Sequence, residues 1–296
     1  QMNKHIGIQP RWSAKTKKEM RKRSEVDPNK FASLVVDDEP KYEHNYKSEY
    51  RGKVQNRQVE TVFLPMYQLS YFPNSQNVSG VQAYDKEVDA LNQHTKADKV
   101  YIVCSKEQLD ENGSLKIFSM IDKLSAELSV ASDNETRKRL LMRRAIAHSV
   151  LRDFEAAISD FTYYISLDDK NSLAYWQRAV CQAEMDEFNK AEGKGVLNIH
   201  SAEADFSDAI RLNSNNAYIY YNRGNLHAGR NELSKAIDDY TIALRIDNRL
   251  AEAYYNRGIA RAKSGNKQTA IQDLSKAGEL GLYDAYSVIK RLNKSK

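Results

Sequence analysis

Ala217-Tyr-Ile-Tyr-Tyr-Asn-Arg-Gly224 returns 34 residues later as Ala251-Glu-Ala-Tyr-Tyr-Asn-Arg-Gly258. The stretches that follow also match, Ala236-Ile-Asp-Asp-Tyr-Thr241 against Ala270-Ile-Gln-Asp-Leu-Ser275. A period fixes architecture before any single residue is interpreted. Read backwards, Tyr175-Trp-Gln-Arg-Ala179 and Leu141-Met-Arg-Arg-Ala145 hold the same place, followed by Ala202-Glu-Ala-Asp-Phe-Ser207 and Ala157-Ile-Ser-Asp-Phe-Thr162. Four units result, at about 138–171, 172–216, 217–250 and 251–284. The second is longer by 11 residues, and the excess falls around Asn189 to His200, expected as a protruding loop or an extended helical turn.

Small residues recur at the eighth position (Ala145, Ala179, Gly224, Gly258) and the twentieth (Ala157, Ala202, Ala236, Ala270), and large ones at the twenty-fourth (Phe161, Phe206, Tyr240, Leu274). The twenty-seventh is Ala209, Ala243 and Ala277, with Tyr164 departing in the first unit. Small residues let helix backbones approach while large ones fill the remaining space. The pattern resembles the tetratricopeptide repeat family, which implies pairs of antiparallel helices stacked into a right-handed superhelix, a mainly α solenoid. A helix over about 284–293, with Tyr286, Ile289 and Leu292 on one face, is expected to cap the last repeat.

The seventh position is Arg144, Arg178, Arg223 and Arg257, and the twenty-third is Asp160, Asp205, Asp239 and Asp273. In an antiparallel hairpin these lie at similar heights, so an Arg to Asp bridge is expected in each unit, with a charged ligand site as the alternative. The resemblance further implies that the second, fifth, ninth and twelfth positions line a concave face. Those expected to bind a partner are Met142, Ile146, Leu173, Trp176, Val180, Tyr218, Tyr221, Asn225, Tyr255 and Ile259. The fifth positions alone, Met142, Trp176, Tyr221 and Tyr255, form an apolar stripe suited to a peptide or helix. Either the stripe meets such a partner, or the N-terminal element or a neighbouring copy of the chain covers it. Members that clamp a chaperone's C-terminal carboxylate carry Lys at the fifth position, which is absent here, so no such docking is expected.

Upstream, residues 113–137 complete the solenoid region, with Leu115, Phe118, Ile121, Leu124 and Leu128 marking an amphipathic helix from about Ser114 to Ser129. Residues 50–112 read as a small α+β element. Val59 to Phe63 and Tyr67 to Tyr71 alternate as strands around Pro65, Lys99 to Cys104 is a β-branched run, and Tyr84 to His94 suits a helix with Val88 and Leu91 inward. Residues 1–49 are poor in apolar residues and read as an extended basic arm.

Composition excludes more than it names. With 12 Gly, 5 Pro and 29% charged residues the chain is helix-rich, and a net charge of +5 is far below that of a dedicated nucleic-acid binder. Basic residues do cluster, at Lys15 to Arg23, at Arg137 to Arg144 and at Lys290 to Lys296, and through the first two an anionic surface or nucleic acid is the alternative partner. The first cluster reads equally as a solvated helix. Cys104 and Cys181 show no zinc spacing, the histidines at 5, 44, 94, 148, 200 and 227 form no metal pair, and no catalytic motif is present. No cofactor, metal or enzymatic activity is therefore expected. His148 and His227, both eleventh in their repeats, are assigned to packing. No apolar run approaches the ~18 residues of a membrane span. Met stands second in the sequence, which suggests a native start further upstream. The expected location is cytoplasmic, or a bacterial envelope or periplasm if an export signal preceded this start.

Overall fold

In the computed structural model the described residues are 62–71, 85–93, 95, 98–104, 109–193 and 199–294. The expected basic arm, the Lys15 to Arg23 cluster and Val59 to Thr61 lie outside them.

The described elements are β1 (Gln68–Tyr71), α1 (Lys86–Asn92), β2 (Val100–Val103), α2 (Glu111–Val130), α3 (Asn134–Val150), α4 (Phe154–Leu167), α5 (Ser172–Ala191), α6 (Ile199–Leu212), α7 (Ala217–Gly229), α8 (Leu233–Ile246), α9 (Ala251–Lys263), α10 (Lys267–Glu279) and α11 (Asp284–Lys294). Helices α3/α4, α5/α6, α7/α8 and α9/α10 form the four expected pairs. Their antiparallel sense shows in the partners that converge on each turn. His227 meets Glu232 beside the turn of the third pair, and Arg223 meets Asp239 further from it. Side-chain caps mark several starts: Asp133 accepts from Thr136 N, Asp153 from Ala156 N, Asn171 from Ala174 N and Asn216 from Tyr218 N.

Inside each pair, small and large positions meet. Ala157, Ala202, Ala236 and Ala270 have no exposed surface, and neither do Phe161, Phe206, Tyr240 and Leu274. A methyl group on Gly224 would lie 2.7 Å from the Tyr240 ring, and one on Gly258 would lie 2.9 Å from Leu274 Cγ. The departure at the twenty-seventh position has its own use, because the Tyr164 hydroxyl accepts from Asn171 Nδ2 at 2.9 Å and ties the first pair to the cap of α5.

Each seventh-position guanidinium forks onto the paired aspartate through Nε and Nη2, at 2.7 to 2.9 Å in all four pairs. Three of these arginines reach a third helix. Nη1 of Arg178 and Arg257 donates to Thr162 and Thr241 at 3.1 Å, and Nη1 of Arg144 donates to Ser125 on α2 at 3.0 Å. Helix α2 thus occupies the place of a preceding repeat's second helix. Arg178, Arg223 and Arg257 also lie over the rings of Tyr175, Tyr220 and Tyr254, three residues earlier on the same helix.

Three expectations need correction. Helix α2 starts at Glu111, not Ser114, because Asp110 caps it by accepting from Gly113 N and so draws the Asn112-Gly113-Ser114 turn signal into the first helical turn. The inward face of α11 is Ala285 and Val288, with Ile289 and Leu292 at its flank, whereas Tyr286 stays 48% exposed with its ring over Gly278. The expected small α+β element is present as β1, α1 and β2, and it packs into the core of the repeats. Tyr67, Leu69, Tyr71, Val100 and Ile102 belong to the same apolar cluster as the repeats. Among the described residues the strands are β1 and β2, and residues 62–67 are irregular, so the strand expected over Val59 to Phe63 does not include Val62 and Phe63.

Gly224→Ala should lower the unfolding free energy by about 1–3 kcal/mol, since Tyr240 is held by its own hydrogen bond to Asn225 and cannot retreat. Gly229→Ala, with nothing within 4 Å, should be neutral or stabilising in the same urea titration.

Candidate functional site

The concave face is not open. Met142, Trp176 and Tyr221 have no exposed surface, and Tyr255 has 8%. Ile146, Leu173, Val180 and Ile259 are also buried, and only Tyr218 and Asn225 of the ten expected groove residues are partly exposed. Of the two arrangements the sequence leaves open, the covered groove is the one present, and its cover is the chain's own segment 62–71.

Extended backbone laid on an apolar surface loses its water and must find other partners. It finds them in side-chain amides, one from each of three successive first helices. Leu64 N donates to Asn256 Oδ1 at 2.7 Å, and Asn256 Nδ2 donates back to the Leu64 carbonyl at 3.1 Å. Tyr67 makes the same two-way exchange with Asn222, at 2.8 and 2.7 Å. Leu69 N donates to Gln177 Oε1 at 2.9 Å. In the first repeat the contact changes kind, with the Tyr71 hydroxyl donating to the Arg143 carbonyl at 3.1 Å. The segment therefore runs from the fourth repeat to the first, opposite to the order of the helices.

Gln177, Asn222 and Asn256 share the sixth position with Arg143. Sequence reading misses this position as part of the groove, although Asn222 and Asn256 stand inside the repeated string that defines the period. The expected concave positions come from the resemblance, which names the second, fifth, ninth and twelfth. Two of those expected residues do grip the segment: Asn225 Nδ2 donates to the Leu64 carbonyl at 3.0 Å, and the Tyr221 hydroxyl donates to the Pro65 carbonyl at 2.9 Å. Asn225 Oδ1 in turn accepts from the Tyr240 hydroxyl at 2.7 Å and from Asn256 Nδ2 at 2.8 Å, which fixes the orientation of both amides.

Side chains add the apolar part. Tyr67, Leu69 and Tyr71 alternate into the groove with no exposed surface, while Gln68 and Ser70 are only half-buried. Burial of each inward side chain is worth roughly 1.5–3 kcal/mol. The Tyr67 ring sits 4.7 Å from that of Tyr218 and 5.2 Å from that of Tyr221, and Trp176 stacks on Tyr218 at 6.2 Å. Burial pushes the phenols of Tyr71 and Tyr221 above their ordinary range, so they stay neutral; both donate to backbone carbonyls, and the Tyr221 hydroxyl also accepts from Asn256 Nδ2 at 2.9 Å.

The second edge of the segment pairs antiparallel with β2, with Gln68 opposite Val103 and Tyr71 opposite Val100. Beyond β2, the Asn92 side chain closes both backbone groups of Val100, at 2.8 and 2.9 Å. Cys104 Sγ donates to the Pro65 carbonyl at 3.2 Å, and burial raises its thiol pKa. Helix α1 is pinned to the repeats by Glu87, which accepts from Ser172 Oγ at 2.7 Å and Asn213 Nδ2 at 3.2 Å, and by Asp85, which accepts from Asn216 Nδ2 at 3.0 Å.

The second basic cluster is largely engaged within the chain. Arg137 donates to the Ala131 carbonyl, Lys138 bridges Glu135 and Asp168, Arg143 donates to the Asp98 carbonyl and Arg144 forks onto Asp160, leaving Arg139 exposed. The eleventh-position histidines do more than pack: Nδ1 of His148 lies 3.0 Å from Asp153, and Nδ1 of His227 lies 2.8 Å from Glu232, each across the turn of its hairpin. Among the described residues no group of three His, Cys, Asp or Glu side chains is placed to hold a metal, and no helix is long and apolar enough to cross a membrane.

The family model described as TPR repeat matches residues 228–265, across the third and fourth pairs. Among solved structures, the crystal structure of MamA is 21% identical, with 61% of this chain and 99% of that one covered at a TM-score of 0.49. TTC0263, a thermophilic TPR protein in Thermus thermophilus, is 15% identical, with 60% and 94% covered at 0.46. YrrB, titled a TPR protein with an unusual peptide-binding site, is 18% identical, with 60% and 89% covered at 0.46. No curated protein matches the chain. Paired helices at a 34-residue period, with small side chains set against large ones in each hairpin, make the four units alike, and the TPR repeat model matches the stretch from the end of α7 through α9.

Proposed function

We propose that this chain is a protein-interaction scaffold whose concave groove receives an extended segment, held by its backbone and by apolar side chains at alternate positions. Repeats of this kind mediate protein–protein interaction in general. The observation that carries the reading is the amide ladder of Gln177, Asn222 and Asn256 on Leu64, Tyr67 and Leu69. Contacts to backbone groups do not depend on which side chains the segment bears, so the same ladder suits a segment from another protein. Residues 62–71 are then a tethered occupant that such a segment must displace. Tethering supplies an effective concentration on the order of millimolar, so competition in trans is weak unless the tethered segment is loosened. On this reading the chain has no catalytic role, and the groove is not a carboxylate clamp, because its gripping groups are amides and phenols.

We also propose an architectural role for the four Arg to Asp forks. The aspartates are 4–6% exposed and each accepts two charge-assisted hydrogen bonds from its forked arginine, so removal of that arginine alone strands a buried charge, except at Asp273, which also accepts from Arg261.

A labelled peptide with the sequence of residues 62–71 should bind a Leu69→Ala chain at least tenfold more tightly than the parent chain. Adding Asn222→Ala should abolish that binding, and raising salt from low to moderate should barely change it, as anisotropy will show. Absence of binding to either chain contradicts the groove reading. Arg223→Ala should cost about 3 kcal/mol or more in urea unfolding, and Arg223→Met combined with Asp239→Leu much less.

A further inference from the structure

Resting on that reading, we infer that the pocket now filled by the Tyr67 ring is a site for a basic side chain, Lys or Arg, carried by the partner's extended segment. Four observations converge on this pocket. Two of its walls are the rings of Tyr218 and Tyr221, whose centroids lie 4.7 and 5.2 Å from that of Tyr67, and Trp176 backs Tyr218 in a stacked arrangement. A cation in place of Tyr67 would lie within cation–π range of both tyrosines.

Glu252 is the second observation. It stands at the second position of the fourth repeat with 4% of its surface exposed, and no cationic side chain among the described residues pairs with it. Buried carboxylates are ordinarily paired, and one left without a cation asks for one. The third is the Tyr67 hydroxyl, which is buried beside the Glu252 carboxylate without closing to a full hydrogen bond, and burial together with that charge pushes its pKa up. Glu252 holds the same second position in its repeat as Tyr218, one wall of the pocket, holds in the repeat before it.

The fourth observation is that the fit of the tethered segment is incomplete around this point. Trp176 Nε1 and Gln177 Nε2 are also buried without acceptors, and a buried polar group left unsatisfied costs about 1–3 kcal/mol. Asn222 and Asn256 grip their residues in both directions, whereas Gln177 grips Leu69 in one. Tyr67 thus fills the pocket as a neutral ring of suitable length and offers Glu252 a phenol but no counter-charge. Lys or Arg reaches about as far from its backbone, stacks its stem on the same rings and brings an ammonium or guanidinium to Glu252. Backbone contacts through Asn222 are unaffected by that exchange. An acidic segment would meet Glu252 as a like charge and is disfavoured.

The test uses two labelled peptides, the sequence of residues 62–71 and the same sequence with Tyr67→Lys, titrated against the full Leu69→Ala chain with and without Glu252→Gln. The Lys peptide should bind at least tenfold more tightly than the natural one, and Glu252→Gln should remove the difference. Equal binding of the two peptides, or weaker binding of the Lys peptide, overturns the basic-residue site and leaves the groove reading intact. Binding of neither contradicts both. In the full chain itself, Tyr67→Lys should melt at a higher temperature than Tyr67→Met while Glu252 is present, and at a lower one with Glu252→Gln. Lys melting below Met in both backgrounds overturns the inference without any peptide.

Discussion

An extended backbone pressed onto a hydrophobic surface is unstable unless each buried N–H and C=O is answered, and this constraint shapes the concave side of the molecule. Helices answer their own backbone groups, so the four repeats need no help from one another in that respect. Segment 62–71 has no such internal solution. One edge is satisfied by β2 and the other by amides that the repeats supply from a single position of their first helices. Between Leu64 and Tyr67, where no strand pairing is present, Asn256, Asn225, Asn222, Tyr221 and Cys104 carry this duty. Further along, at Gln68–Tyr71, β2 shares it.

The same helices are thereby used on several faces. Eighth and twentieth positions face the paired helix and are small, so that Phe, Tyr or Leu from the twenty-fourth can enter. Seventh positions point to the far side, where each guanidinium joins its own pair and, in three cases, the helix before it. Fifth and sixth positions point to the groove, the fifth supplying apolar surface and the sixth hydrogen bonds. A phenol in place of a phenyl ring links two of these faces, since the Tyr240 ring packs on Gly224 while its hydroxyl orients Asn225 toward Leu64.

Much of this is legible in the sequence because it is periodic. Four copies of one spacing identify the hairpins, their packing positions and the Arg and Asp that share a height in each, all from local order along the chain. What covers the groove is not legible, for a physical reason: Tyr67, Leu69 and Tyr71 alternate like any half-buried strand, and nothing in that alternation says that the second partner of the strand is a row of helix side chains more than a hundred residues away. The sixth position is visible but silent, because Asn222 and Asn256 serve as marks of the period without disclosing what they bind. Local competition explains the smaller misses. Asp110 captures Gly113 and moves the start of α2, and Gly278 offers a seat for the Tyr286 ring that leaves Ala285 and Val288 to face inward.

The central claim is that backbone groups of residues 64–69 are held by amide side chains of the repeats, and residue-resolved hydrogen exchange on the full chain reads it directly. The amides of Leu64, Tyr67 and Leu69 should exchange as slowly as those in the interior of α7, and Asn222→Ala should selectively accelerate Tyr67. Exchange of these three amides at the rate of an unprotected chain, with α7 still protected, would contradict the account.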